Sequence, residues 1–164
     1  MKFILASTSS HKLREFGELF AGTGIDVEAP ARTVPVDEDQ ETFQGNAAKK
    51  AREWAIAVGE PCLADDSGLS VDALGGRPGV HSARYAATDP ERISRLLAEL
   101  TGATDRGAAF HCAICVAWPG GREICVTGTT RGEIAEQPAG SGGFGYDPVF
   151  LVPEAGRKIG RAHV

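Results

Sequence analysis

Two adjacent carboxylates, Asp65 and Asp66, are the side chains of this sequence whose types and spacing most strongly suggest chemistry. They follow a short apolar run and are followed at once by Ser67. Neighbouring carboxylates repel each other and are costly to desolvate, so a strand does not usually end in such a pair. We therefore expect the two carboxylates to bind a ligand. A hard cation such as Mg²⁺ is one candidate, because it prefers oxygen ligands.

A second group of carboxylates lies upstream in an acidic loop. Such a run is usually solvated surface, but its oxygens are also the donors that Mg²⁺ requires. Together with the pair at 65–66, it gives the chain two carboxylate groups that could flank one ion. Both interpretations stay open from the sequence. The carboxylates of this loop are Asp37, Glu38, Asp39 and Glu41.

Hydroxyl groups and two lysines offer a candidate anion site. The first predicted strand ends in the hydroxyl run 7–10, and a predicted helix with Lys12 near its start follows. The N–H groups and partial positive charge of a helix N-terminus attract anions, and the hydroxyls and Lys12 add donors for phosphate oxygens. Lys50, on a later helix, is a further candidate phosphate partner. The alternatives are ordinary helix capping, with Ser10 as the N-cap, and a surface lysine beside the apolar stripe.

A glycine-rich loop, AGSGGFGYDP at 139–148, joins a strand to a second apolar run. Glycine lets the backbone approach a ligand closely or turn tightly. Phe144 and Tyr146 offer faces on which a planar base could stack, and Asp147 could accept hydrogen bonds from it. A purely structural glycine loop is the alternative.

Hydrophobic periodicity places these motifs on an alternating series of strands and helices. Apolar residues at helical spacing predict helices over 11–22 and 89–100, and Thr42 is expected to cap a helix that ends near Val58. Two further apolar runs are expected to pair as strands around the Pro-Gly-Gly turn at 119–121. Residues 70–86 are expected to be loop. The pattern predicts an α/β domain.

Composition is that of an ordinary globular protein. The chain has 164 residues and a net charge of −5, which argues against binding polymeric nucleic acid or a membrane surface through bulk charge. No apolar run is long enough to span a bilayer, and we expect a cytoplasmic location. Cys112 and Cys115 form a C-x-x-C within a predicted strand, where side chains three apart face opposite sides. We therefore expect buried structural cysteines, kept reduced, and no metal site.

The order of these motifs resembles that of the Ham1-like inosine triphosphate pyrophosphatases over residues 2 to about 157. The resemblance implies Mg²⁺-dependent hydrolysis of ITP, dITP or XTP to the monophosphate and pyrophosphate, by a protein that is commonly a homodimer. It also implies an elongated mixed sheet with flanking helices, forming two lobes around a substrate cleft. The matching motifs are TF..NA..KA (42–51), ADDSGL (64–69), LGG.PG..SARYA (74–86), FHC (110–112) and GGFGYDP (142–148).

The resemblance also implies roles for individual residues. Asp66 corresponds to the general base and, with Glu38, to the metal ligands, so that Mg²⁺ and its water would stand against the carboxylate pair. Lys50 and Ser67 correspond to substrate contacts. The other implied substrate contacts are Ser7, Thr8, Ser9, Ser10, His11 and Lys12 in the phosphate loop, and Phe144, Gly145, Tyr146 and Asp147 in the base loop.

Two alternative functions remain. Residues 5–9, LASTS, are also similar to the Maf nucleotide pyrophosphatases, so a Maf-like activity is one of them. The other is a nucleotide-binding fragment without turnover. We expect residues 1–158 to form a single domain that lacks the family's C-terminal segment, and residues 159–164 to be a non-native tail. Such a chain would be weak or inactive and would lose most of its selectivity among bases, because groups that read the base would be missing.

Overall fold

The computed structural model describes residues 1–140, 144–152 and 157–158. The predicted tail at 159–164 lies outside these residues. Within them the chain forms three α-helices and seven β-strands. In chain order these are β1 (Lys2–Leu5), α1 (Ser10–Leu19), β2 (Asp26–Glu28), α2 (Phe43–Val58), β3 (Cys62–Val71), α3 (Asp89–Glu99), β4 (Gly107–Ala117), β5 (Glu123–Ile134), β6 (Phe150–Val152) and β7 (Arg157–Lys158).

The strands form one mixed sheet in the order β2-β1-β3-β4-β5-β6-β7. β1 runs parallel to both β2 and β3, whereas β6 runs antiparallel to β5 and to β7. The predicted α/β class, a mixed sheet with flanking helices, is confirmed. The strands expected to pair around the Pro-Gly-Gly turn are β4 and β5, which are neighbours in the sheet.

The local signals in the sequence predicted the helices more accurately than they predicted the region after Asp66. Thr42 caps α2 through a bond from the Gly45 N–H, as expected. The N-cap of α1 is Ser9 and not Ser10, because the Ser9 hydroxyl accepts the Lys12 N–H. The prediction of a loop over residues 70–86 is wrong in part. β3 continues to Val71, and short 3₁₀ turns follow at Asp72–Leu74 and Gly79–Arg84.

The chain divides into two compact units. The first contains Met1–Asp66 and Cys112–Thr127; the second contains Ser67–His111 and the described residues from Gly128 onward. The unit boundary therefore falls inside the ADDSGL motif, between Asp66 and Ser67.

The first unit has a hydrophobic core on each face of its strands. On one face, α2 packs Ala47, Ala51 and Trp54 against side chains that include Cys62 and Ala64 of β3. On the other face, Phe16 of α1 packs against Phe3, Leu5 and Leu63. Alternate residues of β3 therefore face α2 and α1 in turn, as the two-residue period of a strand requires.

The second unit has its own core under α3. Ile93 and Leu96 of α3 are buried with Leu69 and Val71 of β3. Other buried members of this cluster are Tyr85, Leu100, Ala108, Ile134, Tyr146, Val149 and Phe150.

Gly132 on β5 is required by the close approach of β6. A Cβ at this position would lie 2.2 Å from the Leu151 carbonyl oxygen and 2.5 Å from the Phe150 ring. We expect Gly132→Ala to lower the free energy of unfolding by about 1–3 kcal/mol, because backbone and a packed ring must both move. Urea unfolding measures this. Gly128→Ala, on the same strand with nothing within 4 Å of the added carbon, is the matched control and should leave stability nearly unchanged. Equal losses in both variants would contradict the packing argument.

The cysteines depart from the sequence prediction. Cys115 is buried and Cys112 is exposed, so the two side chains face opposite sides as expected. Cys115, however, forms a disulfide with Cys125 of the neighbouring strand β5, with a Cα–Cα distance of 4.1 Å. The prediction of reduced, buried cysteines is therefore wrong for Cys112 and Cys115. Cys62 is a buried thiol, and burial raises its pKa to about 11.

None of the helices within the described ranges is long and apolar enough to cross a membrane.

Candidate active site

Asp65 and Asp66 point to opposite faces of β3. Asp65 shares the face of Leu63, and both of its carboxylate oxygens accept from Lys12 Nζ of α1 at 2.7 Å. Asp66 shares the face of Ala64, and its Oδ2 accepts from Asn46 Nδ2 of α2 at 3.0 Å. The pair therefore tolerates adjacency because each carboxylate has its own partner on its own side. The expectation that one cation stands against both carboxylates is wrong for this reason.

The predicted phosphate loop lies between β1 and α1. The Ser7 hydroxyl accepts the Ser9 N–H at 3.2 Å, and Ser9 caps the helix, while Thr8 and Ser10 are exposed. The first turn of α1 contains no acidic side chain, so the partial positive charge at this helix end is not neutralised from within the turn. Capping and anion binding are therefore compatible here, and anion binding stays a prediction.

His11 belongs to the exposed side of α1. Its Nδ1 lies 3.0 Å from Arg14 Nη2, and its Nε2 lies 3.4 Å from Glu15 Oε1. The structure therefore places His11 among charged helix neighbours, whereas Lys12 turns toward the carboxylate of Asp65.

Lys50 forms a sheltered ion pair with the acidic loop. Its Nζ donates to Glu38 Oε1 at 2.6 Å, and the Lys50 side chain is only 13% exposed. The neighbouring Lys49 pairs with Asp39 at 2.8 Å and is 20% exposed. The ordinary interpretation of Lys50 as a surface lysine is therefore wrong. The acidic loop is held against α2 by two parallel ion pairs.

The pKa of Asp66 is raised above its usual value, chiefly because the carboxyl group is desolvated by burial. The negative charge of Glu38 raises it further, while the Asn46 hydrogen bond and the charges of Lys50 and Lys12 oppose the shift. A carboxylate with a raised pKa binds a proton more strongly, which is the property a general base needs.

The donor set around Asp66 fits a magnesium ion that is completed by substrate. In the ranges that the structure describes, no three His, Cys, Asp or Glu side chains form a metal-binding group. Mg²⁺ is nevertheless usually held by one or two carboxylates together with phosphate oxygens and water. Glu38 and Asp66 supply two such carboxylates. Asp65 is directed away, to Lys12.

The predicted base loop and Ser67 belong to the second unit. Ser67 is exposed, and so is Phe144, at 55%. Asp147 Oδ2 accepts the Phe144 N–H at 3.1 Å, and Asp89 Oδ2 accepts the Gly145 N–H at 2.9 Å. These two carboxylates therefore fix the backbone from which the Phe144 ring projects. Gly142 and Gly143 of the same motif lie outside the described residues.

Tyr146 occupies the core of the second unit. It is buried, and its hydroxyl donates to the Ser82 carbonyl oxygen at 2.9 Å. Burial raises the pKa of the Tyr146 hydroxyl to about 12, so it stays a donor at neutral pH. The face of Tyr146 that the sequence offered for stacking is therefore covered, and Phe144 is the exposed aromatic of this pair.

Comparison with known proteins shows the family of the chain. The model of the Ham1 family matches residues 3–163 of the chain. The chain belongs to the Ham1 family. Its similarity to curated relatives is high. The dITP/XTP pyrophosphatase of Gloeobacter violaceus is 54% identical over 155 residues, which are 94% of this chain and 80% of the relative. The dITP/XTP pyrophosphatase of Geobacillus kaustophilus is 48% identical over an alignment of 166 residues, which covers 96% of this chain and 81% of the relative.

Solved structures of Ham1 proteins share the fold. The HAM1 protein of Coxiella burnetii aligns with a TM-score of 0.87 at 41% identity, covering 98% of this chain and 86% of that one. The nucleoside-triphosphatase, dITP/XTP pyrophosphatase, of Mycobacterium abscessus aligns with a TM-score of 0.84 at 38% identity, covering 99% and 90%.

Two partners in this Ham1 site were not identified from the sequence. Asn46 belongs to the TF..NA..KA motif, but the sequence alone gives it no partner, and it does not predict the Lys12–Asp65 pair. A partner for Asn46 could have been expected from the sequence, because a polar amide on the apolar side of a helix needs a hydrogen-bond partner. The lysine pair could not have been expected, because it depends on the packing of α1 against β3.

Proposed function

We propose that this protein hydrolyses non-canonical purine nucleoside triphosphates, such as ITP, dITP and XTP, to the monophosphate and pyrophosphate, and so removes them from the nucleotide pool. Membership of the Ham1 family and the dITP/XTP pyrophosphatases among its similar relatives support the proposal. A cytoplasmic location and a homodimeric state stay predictions from the resemblance.

The observation that carries the proposal is the setting of Asp66. A half-buried carboxylate with a raised pKa lies in the middle of β3, where the charges of a second carboxylate, Glu38, and of two lysines on neighbouring helices act on it. A general base, a pair of oxygen ligands and cationic groups for phosphate are the parts that phosphoryl transfer with water requires.

In the proposed reaction Asp66 orients a water molecule and accepts its proton as the water oxygen bonds to the α-phosphorus. The bond from that phosphorus to the bridging oxygen breaks, and pyrophosphate leaves. Lys12 and Lys50 exchange part of their pairing with Asp65 and Glu38 for the triphosphate, whose charge they offset. Mg²⁺, held by Glu38 and Asp66, would supply further charge neutralisation and acidify a bound water.

Pyrophosphate release from dITP, XTP and dGTP, with Mg²⁺ and with excess chelator, tests this function. We expect release from dITP that is abolished by the chelator, and the ratio of the rates on dITP and dGTP measures the selectivity among bases. Isothermal titration of the same nucleotides provides the contrast. Binding without any release would show that the chain is a nucleotide-binding protein without turnover. Equal rates on dITP and dGTP would show that it is a general purine triphosphatase.

A further inference from the structure

Asn46 is a fully buried polar side chain with both ends of its amide engaged. It lies in the first turns of α2 and is 0% exposed. Its Oδ1 accepts the backbone N–H of Gln40 at 2.9 Å, and its Nδ2 donates to Asp66 Oδ2 at 3.0 Å. One side chain therefore joins the acidic loop, the start of α2 and the middle of β3.

The orientation of the Asn46 amide follows from chemistry. A backbone N–H can only donate, so the oxygen of the amide must face Gln40. The NH₂ group must then face Asp66, where it favours the ionised carboxylate. The loop contact thus dictates that Asp66 meets a donor, and the two contacts cannot be exchanged.

An independent feature holds Gln40 in place. A Cβ on Gly45 would lie 2.9 Å from Gln40 Cβ and 3.0 Å from Thr42 Oγ1. Gln40 therefore packs directly against the first turn of α2, and it fits there only because residue 45 is a glycine and has no side chain. The N–H that orients Asn46 is consequently fixed by close packing.

We infer that Asn46 is a positioning residue for the hydrolysis. By holding Oδ2 of Asp66 it sets the direction of the carboxylate that accepts the proton, and through Gln40 it sets the loop that carries Glu38. This inference rests on the proposed function. A purely structural asparagine would matter for stability alone, so the separation of turnover from stability decides between the two roles.

The test uses two variants of Asn46 and one control in the intact protein. Asn46→Ala removes both contacts. Asn46→Asp keeps an acceptor for the Gln40 N–H but replaces the NH₂ donor with a second carboxylate oxygen. Thr42→Ala, the control, removes the cap bond to the Gly45 N–H and so weakens the same helix end without altering the Asn46–Asp66 bond. Each variant is measured for melting temperature, for kcat and KM on dITP, and for hydrogen exchange at the backbone N–H of Gln40.

We expect kcat of both Asn46 variants to fall about 10- to 100-fold, the usual loss when a partner that orients a ligating or catalytic side chain is removed. KM should change less than about threefold, because the phosphate contacts remain. The Gln40 amide should stay protected in Asn46→Asp and become unprotected in Asn46→Ala. Thr42→Ala should melt earlier yet keep the parental kcat.

Three results would overturn the inference. The first is a parental kcat in a folded Asn46→Asp protein, which decides the matter even if Asn46→Ala does not fold. The second is a loss of kcat in Thr42→Ala as large as in the Asn46 variants, which would make the effect one of helix stability. The third is an inactive parent protein, which would overturn the proposed function itself and is distinguished from the other two by the parental assay alone.

Discussion

Asp66→Asn is expected to lower kcat for pyrophosphate release by at least about 100-fold. The amide keeps the shape of the side chain and can still present its oxygen to Asn46 Nδ2, so the fold and the hydrogen bond are preserved. What is lost is the proton acceptor and one negative charge beside Glu38. Steady-state kinetics on dITP, with melting temperature measured in parallel, test this outcome.

Asp65→Asn is the matched comparison for Asp66→Asn. It makes the same chemical change one residue earlier on the same strand, but its carboxylate faces Lys12 on the opposite side of β3. We expect a smaller loss of activity, because the amide oxygen still accepts from Lys12 and the general base is untouched. Parental turnover in Asp66→Asn, or an equal loss in both variants, would remove Asp66 from the catalytic role.

Lys50→Ala is expected to weaken nucleotide binding about 10- to 100-fold. A charge-assisted contact to phosphate contributes about 1.5–3 kcal/mol, and each 1.4 kcal/mol is roughly tenfold in the dissociation constant. Titration with a non-hydrolysable dITP analogue measures the change. Lys12→Ala is expected to act in the same direction, because Lys12 is the last residue of the predicted phosphate loop and its Nζ pairs with Asp65.

Lys49→Ala is the control for Lys50→Ala. Both lysines lie on α2, both are mostly buried along their length, and each pairs with a carboxylate of the same acidic loop. They differ in direction, because adjacent positions on a helix are rotated by about 100°. Asp39, the partner of Lys49, is 58% exposed, so water screens this ion pair and it contributes little. An equal loss of binding in Lys49→Ala and Lys50→Ala would show that the wrong face of α2 has been assigned to the nucleotide.

Much of this protein could be predicted from the sequence because the relevant signals are local. Apolar spacing and capping residues fix a helix within a few turns of chain, so α2 with its Thr42 cap agrees with its prediction. The same holds for the strands around the Pro-Gly-Gly turn. The motifs at 64–69 and 142–148 carry family-specific spacing, and they identified the Ham1 family before any contact was known.

The tertiary structure alone decided which groups meet, since those contacts join residues far apart in the chain. Lys12 and Asp65 are separated by 53 positions, and Asn46 and Asp66 by 20. Whether such residues touch depends on strand order and on which helix covers which face of β3, and no local period encodes either. For the same reason the sequence could not show that Cys125 pairs with Cys115 or that Tyr146 is buried against Ser82. By itself the sequence determined the parts of the site and the helices and strands that carry them. The packing of α1 and α2 on opposite faces of β3 decided that two adjacent carboxylates meet different partners.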